Sequence, residues 1–184
     1  MKIRLAGFAQ ESIVDGPGVR IVVFFQGCLH HCPSCQNPTT WPFDKGTEVP
    51  LEEILAMFEK NKETTSGLTL SGGDPFCNLE EAIAVSREAK ERFHFHIIAY
   101  TGYTYEEILE LGKKDMRYLV LLSYLDVLVD GRFLLSLRSI GINNRGSRNQ
   151  LCIDVKKSHE EGKIVLDEKM MDMSFYEDDE RDTF

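Results

Sequence analysis

Four short apolar runs alternate along this chain with longer stretches in which apolar residues recur at helical spacing. The runs cover residues 19–25, 67–70, 95–100 and 126–131, and the first contains an unbroken β-branched and aromatic stretch at 21–25. Continuous runs of this kind are typical of strands that are buried on both faces, as in a parallel sheet. We therefore predict a strand at each run.

Helical periodicity fills the intervals between these runs. The predicted helices cover residues 50–61, 78 to about 92, 104–111 and 116–125. Two of them open on a capping-box pattern, Asn78 with Glu81 and Thr104 with Glu107. The last stretch fits a helix or a strand by its pattern, and we favour the helix.

The alternation of strands and helices predicts an α/β fold with a mostly parallel sheet and right-handed crossovers. The 184 residues allow a sizeable core but fall short of the ~250 residues of a complete (β/α)8 barrel. We assign residues 1–155 to one domain and residues 156–184 to a C-terminal extension. That extension ends in an acidic tail around 177–182, which we expect to be solvated and partly disordered.

Each predicted strand is followed directly by residues that suit a binding site. These residues are Cys28 after the first strand, Gly72, Gly73 and Asp74 after the second, Thr101 and Gly102 after the third, and Asp130 and Gly131 after the fourth. Ligands bind at the carboxyl ends of strands in parallel α/β sheets, so we expect one site at this edge.

The residues after the second and fourth strands each allow a purely structural interpretation. The glycine pair lets a ligand approach the backbone, and Asp74 offers a carboxylate that suits an ammonium group, although an isolated sequence of this kind would favour a plain turn. Asp130 fits a structural acid and a cation ligand equally well. The polar stretch 145–150 fits an ordinary loop, a segment that closes over the site or a segment that meets a partner.

Cys28, Cys32 and Cys35 have the spacing C-x3-C-x2-C. Thiolates this close in sequence can converge on one soft metal centre. A structural zinc site needs a fourth ligand, for which the chain offers His30, His31, Cys77 or Cys152. A four-iron cluster on these three cysteines would instead leave one iron open to another ligand. The spacing alone leaves zinc and an iron–sulfur cluster equally open.

Charge and composition narrow the possible partners and the compartment. The net charge of −9 argues against nucleic acid as a steady partner. No apolar run approaches the ~20 residues of a membrane span, and residues 1–4 lead into no signal-peptide core. We therefore expect a cytoplasmic protein, with no membrane partner and with thiols that are reduced or bound to metal.

The order of these motifs resembles the radical S-adenosylmethionine (SAM) superfamily, and more closely the activating proteins of anaerobic ribonucleoside-triphosphate reductase. The stretches that carry the resemblance are 14–20, 26–28, 35–38 with Trp41, 70–75, 100–103, 129–133 and 145–150. The cysteine motif is shared across the superfamily, whereas 14–20 and 145–150 are typical of the activating proteins.

The resemblance implies an incomplete (β/α) barrel that carries a 4Fe–4S cluster on Cys28, Cys32 and Cys35, with SAM on the open iron. The SAM contacts that it implies are Ser34, Cys35, Gln36, Gly72, Gly73, Asp74 and Thr101. A reduced donor such as flavodoxin would supply one electron, and SAM would be cleaved to methionine and a 5′-deoxyadenosyl radical. That radical would remove hydrogen from a glycine of the reductase large subunit.

Two positions depart from the pattern that the resemblance implies. Ser34 stands where many members of the superfamily have an aromatic residue, so a main-chain contact with adenine is expected there. Gln36 stands where related activators often have His or Tyr. Two other hypotheses remain: an activator of another glycyl-radical enzyme, such as pyruvate formate-lyase, and a zinc or iron–sulfur binding module without catalysis.

Overall fold

The computed structural model describes residues 1–171. Its strands form one sheet in the order β3-β1-β2-β4-β5-β6-β7. The strands are β1 Lys2–Ser12, β2 Arg20–Phe25, β3 Thr47–Pro50, β4 Gly67–Gly72, β5 Ile97–Tyr100, β6 Val127–Val129 and β7 Cys152–Asp154. The helices are α1 Leu51–Asn61, α2 Leu79–Glu91, α3 Tyr105–Gly112, α4 Arg117–Tyr124 and α5 Val155–Glu161.

The parallel centre of the sheet is confirmed. Strands β2, β4, β5 and β6 run parallel, and each corresponds to one of the predicted apolar runs. The remaining strands are antiparallel additions that were not predicted, β1 and β3 at one edge and β7 at the other. In β1, Ile3 and Leu5 are buried while Lys2 is exposed, so this strand has one solvated face and lacks a continuous apolar run.

The predicted helices are confirmed, with α4 resolving the ambiguous stretch as helix. The capping box of α3 is present, because Glu107 N donates to Thr104 Oγ1 at 3.2 Å and Thr104 N to Glu107 Oε2 at 2.9 Å. The predicted capping box of α2 is wrong. The side-chain amide of Asn78 donates instead to the carbonyls of Gly27 and Asp74, at 3.1 and 2.8 Å.

The sheet separates two apolar clusters because successive side chains of a strand point to opposite faces. Along β5, Ile97 packs into the large core beneath α1–α4, whereas Ile98 packs into a smaller cluster on the other face. The smaller cluster is completed by Met170 and Met171, which are buried. The segment after α5 therefore packs on the sheet as far as residue 171, and the acidic tail lies outside the described residues.

No helix within residues 1–171 combines the length and the apolar character needed to cross a membrane.

Candidate metal centre

A cavity of about 350 Å³ lies at the carboxyl ends of the parallel strands. Its lining includes the motifs that follow all four of these strands, and the residues concerned are Cys28, Cys32, Cys35, Gly72, Gly73, Asp74, Thr101, Gly102 and Gly131. The structure thus brings together side chains and glycines that are more than a hundred positions apart in the sequence, as the shared edge of parallel strands requires.

The cysteine loop is fixed to the end of β2 by backbone hydrogen bonds. Gly27 N donates to Thr40 O at 2.8 Å, and Cys28 N donates to Trp41 O at 3.0 Å. Cys28 is buried, whereas Cys32 and Cys35 are half-buried at the cavity. The three cysteines therefore line one cavity, and a backbone hydrogen bond holds the first of them in place.

The two residues beside Cys35 take different positions. Gln36 is exposed and lines the cavity, as the resemblance implies for a residue that contacts SAM. Ser34 is exposed, has a left-handed φ of 61°, and lies outside the cavity lining. The expected contact between Ser34 and SAM stays a prediction.

Gly72 and Gly73 bring the loop after β4 against the cysteine loop. Gly73 N donates to Phe25 O at 2.7 Å, and Asp74 N donates to Gly27 O at 3.0 Å. A Cβ atom on Gly73 would collide with the carbonyl oxygen of Gly27. Besides leaving the backbone open to a ligand, the glycines are therefore required for direct packing of one site loop on the other.

Asp74 is the centre of a buried hydrogen-bond network, with 1% of its surface exposed. Its Oδ1 accepts from Phe76 N at 2.8 Å, and its Oδ2 accepts from Gly102 N at 2.8 Å and from the Thr101 hydroxyl at 2.9 Å. His30 Nε2 lies 2.9 Å from the same Oδ2. The carboxylate and the Thr101 hydroxyl, both predicted to face a ligand, thus join the loops after β2, β4 and β5 to one another.

The proton of His30 is positioned by its two neighbours. Arg132 Nε donates to Nδ1 at 3.3 Å, which places the proton of the neutral ring on Nε2, facing Asp74. Burial acts to lower the pKa of this imidazole, but the hydrogen bond and the negative charge of Asp74 outweigh it, so the pKa of His30 is raised. His30 therefore ties the cysteine loop to Asp74.

The structure separates the candidates for a fourth zinc ligand. His30 and Cys77 lie near Cys28, and the ligand atoms of His30, Asp74 and Cys77 are within 4.8 Å of one another. His31 is exposed and packs on Trp41 with ring centroids 4.9 Å apart. Cys152 is buried in the cluster on the second face of the sheet.

The Cys77 thiol neighbours that of Cys28 and lowers its pKa to about 7, against the opposing effect of burial. The neighbouring Cys28 thiol, together with burial, raises the pKa of Cys77. Among the candidates for a fourth ligand, local spacing does not single out Cys77, because its proximity to Cys28 depends on the packing of two loops.

Two further loops lie at the cavity, and hydrogen bonds of Asp130 and Gln150 hold them in place. Asp130 is a buried structural acid, whose carboxylate accepts from Tyr105 N at 2.9 Å and from Leu151 N at 3.1 Å. Burial raises the pKa of this carboxyl group. Gln150 donates to Gly131 O at 2.8 Å, and this holds the polar stretch 145–150 at the cavity.

The segment before β2 reaches the cavity because the buried side chain of Arg20 holds the backbone of this segment in place through Thr69. Arg20 Nε donates to Thr69 Oγ1 at 2.7 Å, and the Thr69 hydroxyl donates to Asp15 O at 2.7 Å. Val14 and Asp15 thereby line the cavity. Burial lowers the pKa of Arg20 to about 10.

The donor set at this site fits an iron–sulfur cluster. It consists of three cysteine sulfurs on one cavity, and thiolates are the ligands that such clusters use. The space beside them is bordered by Gly72, Gly73 and Gln36, so a second ligand can approach the same centre.

Comparison with known proteins identifies the family. The family profile described as "4Fe-4S single cluster domain" matches residues 14–153. The anaerobic ribonucleoside-triphosphate reductase-activating protein of Vibrio cholerae is 37% identical over 146 residues, which cover 76% of this chain and 90% of that relative. This chain belongs to the family of anaerobic ribonucleoside-triphosphate reductase-activating proteins.

Other activating proteins show the same extent of similarity. The one from Enterobacteria phage T4 is 36% identical over 143 residues, covering 76% of this chain and 86% of the relative. The one from Escherichia coli K12 is 32% identical over 146 residues, covering 76% and 91%. Among solved structures, QueE from Escherichia coli aligns with a TM-score of 0.43 and 17% identity over 56% of this chain and 54% of that one. That likeness is too weak to support a conclusion.

Proposed function

We propose that this activating protein is a radical SAM enzyme that installs a glycyl radical on the large subunit of anaerobic ribonucleoside-triphosphate reductase. The observation that carries the proposal is the single cavity shared by Cys28, Cys32, Cys35 and the glycine pair Gly72-Gly73. In a family with a 4Fe–4S domain, this arrangement supports a cluster on the cysteines with SAM beside it.

Cys28, Cys32 and Cys35 would hold the cluster. Bound there and reduced by a donor, the cluster would supply the one electron that splits SAM into methionine and a 5′-deoxyadenosyl radical, and that radical would remove hydrogen from a glycine of the reductase. The protein has to orient SAM and exclude water, and both needs are served by loops fixed to the strand ends. No general base is required for this chemistry.

We assign SAM to the side of the cavity bordered by Gly72, Gly73 and Gln36, with Ser34 and Cys35 along it. The glycines leave backbone groups accessible to the methionine end of SAM. Asp74 and Thr101 are bonded to each other in this structure. They would therefore contact SAM only by giving up part of that network, and otherwise act by holding the surrounding loops in place.

The opening of the site suits a protein substrate. The sheet ends at β3 on one side and at β7 on the other, which supports our interpretation of the fold as an incomplete barrel. Ile13 and Val14 are 77% and 80% exposed, and Val14 also lines the cavity. These apolar side chains favour contact with the reductase beside the bound SAM.

We further propose a cytoplasmic location and a reduced donor such as flavodoxin.

Anaerobic reconstitution with iron and sulfide, followed by reduction with dithionite in the presence of SAM, tests the proposal. We expect the protein to release 5′-deoxyadenosine and, with the reductase added, to generate the electron paramagnetic resonance (EPR) signal of a glycyl radical. A protein that binds zinc and forms no 5′-deoxyadenosine would contradict the proposal. Formation of 5′-deoxyadenosine with a glycyl radical only on another enzyme would contradict the choice of partner.

The Gly73→Ala variant should form 5′-deoxyadenosine about 100-fold more slowly, because a displacement of ~1 Å in a positioned site can cost this much. The added methyl group would push the loop after β4 away from Gly27 and so from Cys28. The measurement is the initial rate of product formation per bound cluster. Gly7→Ala is the matched control, since a Cβ on Gly7 meets nothing within 4 Å. Equal rates in the two variants would contradict this account of Gly73.

A further inference from the structure

A loop formed by residues 134–143 leaves the wall of the cavity and returns to it. Phe133 and Asn144, which flank this loop, both line the cavity, whereas residues 134–143 do not. Three apolar side chains of the loop are exposed, Leu134 at 42%, Leu135 at 53% and Ile140 at 97%. The 134–143 loop therefore presents apolar surface to solvent beside the cavity.

These exposed side chains belong to a loop that is anchored to the fold. Leu134 N donates to the hydroxyl oxygen of Ser147 at 3.1 Å, and Ser147 is completely buried. Ile142, two residues after Ile140, is also buried and holds the far part of the loop. A loop that is already ordered loses less conformational entropy on binding than a flexible one, so it suits a docking surface.

The stretch that contains this loop is cationic in an acidic protein. Residues 131–150 include four arginines, at positions 132, 138, 145 and 148, and no aspartate or glutamate, although the whole chain has a net charge of −9. Arg138 is exposed and lies within the loop, between Leu135 and Ile140. A surface that combines apolar side chains with positive charge is complementary to one that is apolar and acidic.

The proposed reaction determines which protein must approach this surface. A glycine of the reductase has to enter the cavity, so the reductase surface around that glycine must lie against the rim of the cavity. The 134–143 loop is part of this rim, because the residues on both sides of it line the cavity.

We propose that the 134–143 loop is a docking surface for the large subunit of the reductase, and that it receives an acidic and apolar patch beside the glycine of that subunit. The inference rests on the proposed function, which supplies the partner. Leu135 and Ile140 provide the apolar contact, and Arg138 provides the charge that selects an acidic partner.

The test compares the reconstituted wild type with the double variant Leu135→Ser/Ile140→Ser and with Arg138→Glu. The first measurement is 5′-deoxyadenosine formation with dithionite and SAM in the absence of the reductase. Because none of the three side chains lines the cavity, both variants should equal the wild type, which also shows that they fold. The second is the concentration of large subunit that gives half-maximal glycyl radical by EPR. Calorimetric binding of the cluster-free proteins to the large subunit repeats the comparison without catalysis.

The double variant should need about tenfold more large subunit, as expected when two apolar contacts at an interface are lost. Arg138→Glu should also bind more weakly. Its difference from the wild type should shrink as salt is added, because salt screens the interaction between exposed charges.

Matched controls carry the same changes away from the loop. Lys156→Glu reverses an exposed charge on α5, which begins after Asp154. Asp154 pairs with Val127 at the start of β6, so this site lies at the sheet edge opposite the cavity. Leu109→Ser/Val120→Ser removes two exposed apolar side chains that do not line the cavity. Both controls should bind the large subunit like the wild type.

Several outcomes would overturn the inference. One is binding of the large subunit by the Leu135→Ser/Ile140→Ser protein as tight as that of its control. Normal binding, with radical formation lost only when reduced flavodoxin replaces dithionite, would assign the loop to the electron donor. A change in self-association alone would assign it to a second copy of this chain. A wild type that forms no 5′-deoxyadenosine would overturn the proposed function together with this inference, whereas the other outcomes leave the proposed function intact.

Discussion

Cys28→Ala, Cys32→Ala and Cys35→Ala should each abolish the formation of 5′-deoxyadenosine. Three thiolates are the minimum that holds a 4Fe–4S cluster with one iron open, so the loss of any one removes a ligand that no spare cysteine on the cavity replaces. We expect the reconstituted variants to show iron contents far below that of the wild type and product at the level of a control without protein. Iron analysis and chromatography of the quenched reaction measure both quantities.

Cys152→Ala provides the control for this series. Cys152 is buried among Ile98, Val127 and Val129 on the second face of the sheet, so its removal should leave iron content and product formation unchanged. A Cys28→Ala protein that kept both iron and product would contradict the assignment of Cys28, and would point to Cys77 as the ligand. Retention of both by Cys32→Ala or Cys35→Ala would contradict the three-cysteine centre as a whole.

The strands that could be predicted were those buried on both faces. β2 is a continuous apolar run because helices cover one face of the sheet and the Arg20-anchored loop and cavity occupy the other. β1 was not predicted because one of its faces is solvated, so it lacks the continuous apolar run on which the strand predictions rested. β7 spans only Cys152–Asp154, which is too short to produce a pattern.

The cysteines that we propose as ligands were recognisable because their spacing is local, whereas the supporting contacts were not. Cys28, Cys32 and Cys35 fall within one loop, so the sequence displays them together. The bond between His30 and Asp74 joins residues 44 positions apart. Asn78 shows the same limit of prediction from local sequence. A capping rule predicts that its side chain caps α2, whereas in the fold this side chain donates to Gly27 O.

Asp74→Ala should destabilise the fold by about 3–5 kcal/mol, because several buried donors lose their acceptor and each unsatisfied group costs ~1–3 kcal/mol. The donors concerned are Phe76 N, Gly102 N, the Thr101 hydroxyl and the ring of His30. Urea unfolding of the cluster-free protein, followed by circular dichroism, measures this loss. Asp74→Asn keeps the shape and one acceptor oxygen, so its loss should be smaller but clear.

Asp115→Ala is the matched control for the removal of a carboxylate. Asp115 lies half-buried at the start of α4, where its carboxylate accepts from the backbone N and the guanidinium of Arg117, so the variant should lose only the ~1 kcal/mol of a helix cap. A loss in Asp74→Ala no larger than that in Asp115→Ala would contradict the role of Asp74 as the link between the site loops. A large loss would show that Asp74 is needed to hold the site loops together. An ammonium group of SAM could then bind Asp74 only by replacing one of the donors that already hold these loops in place.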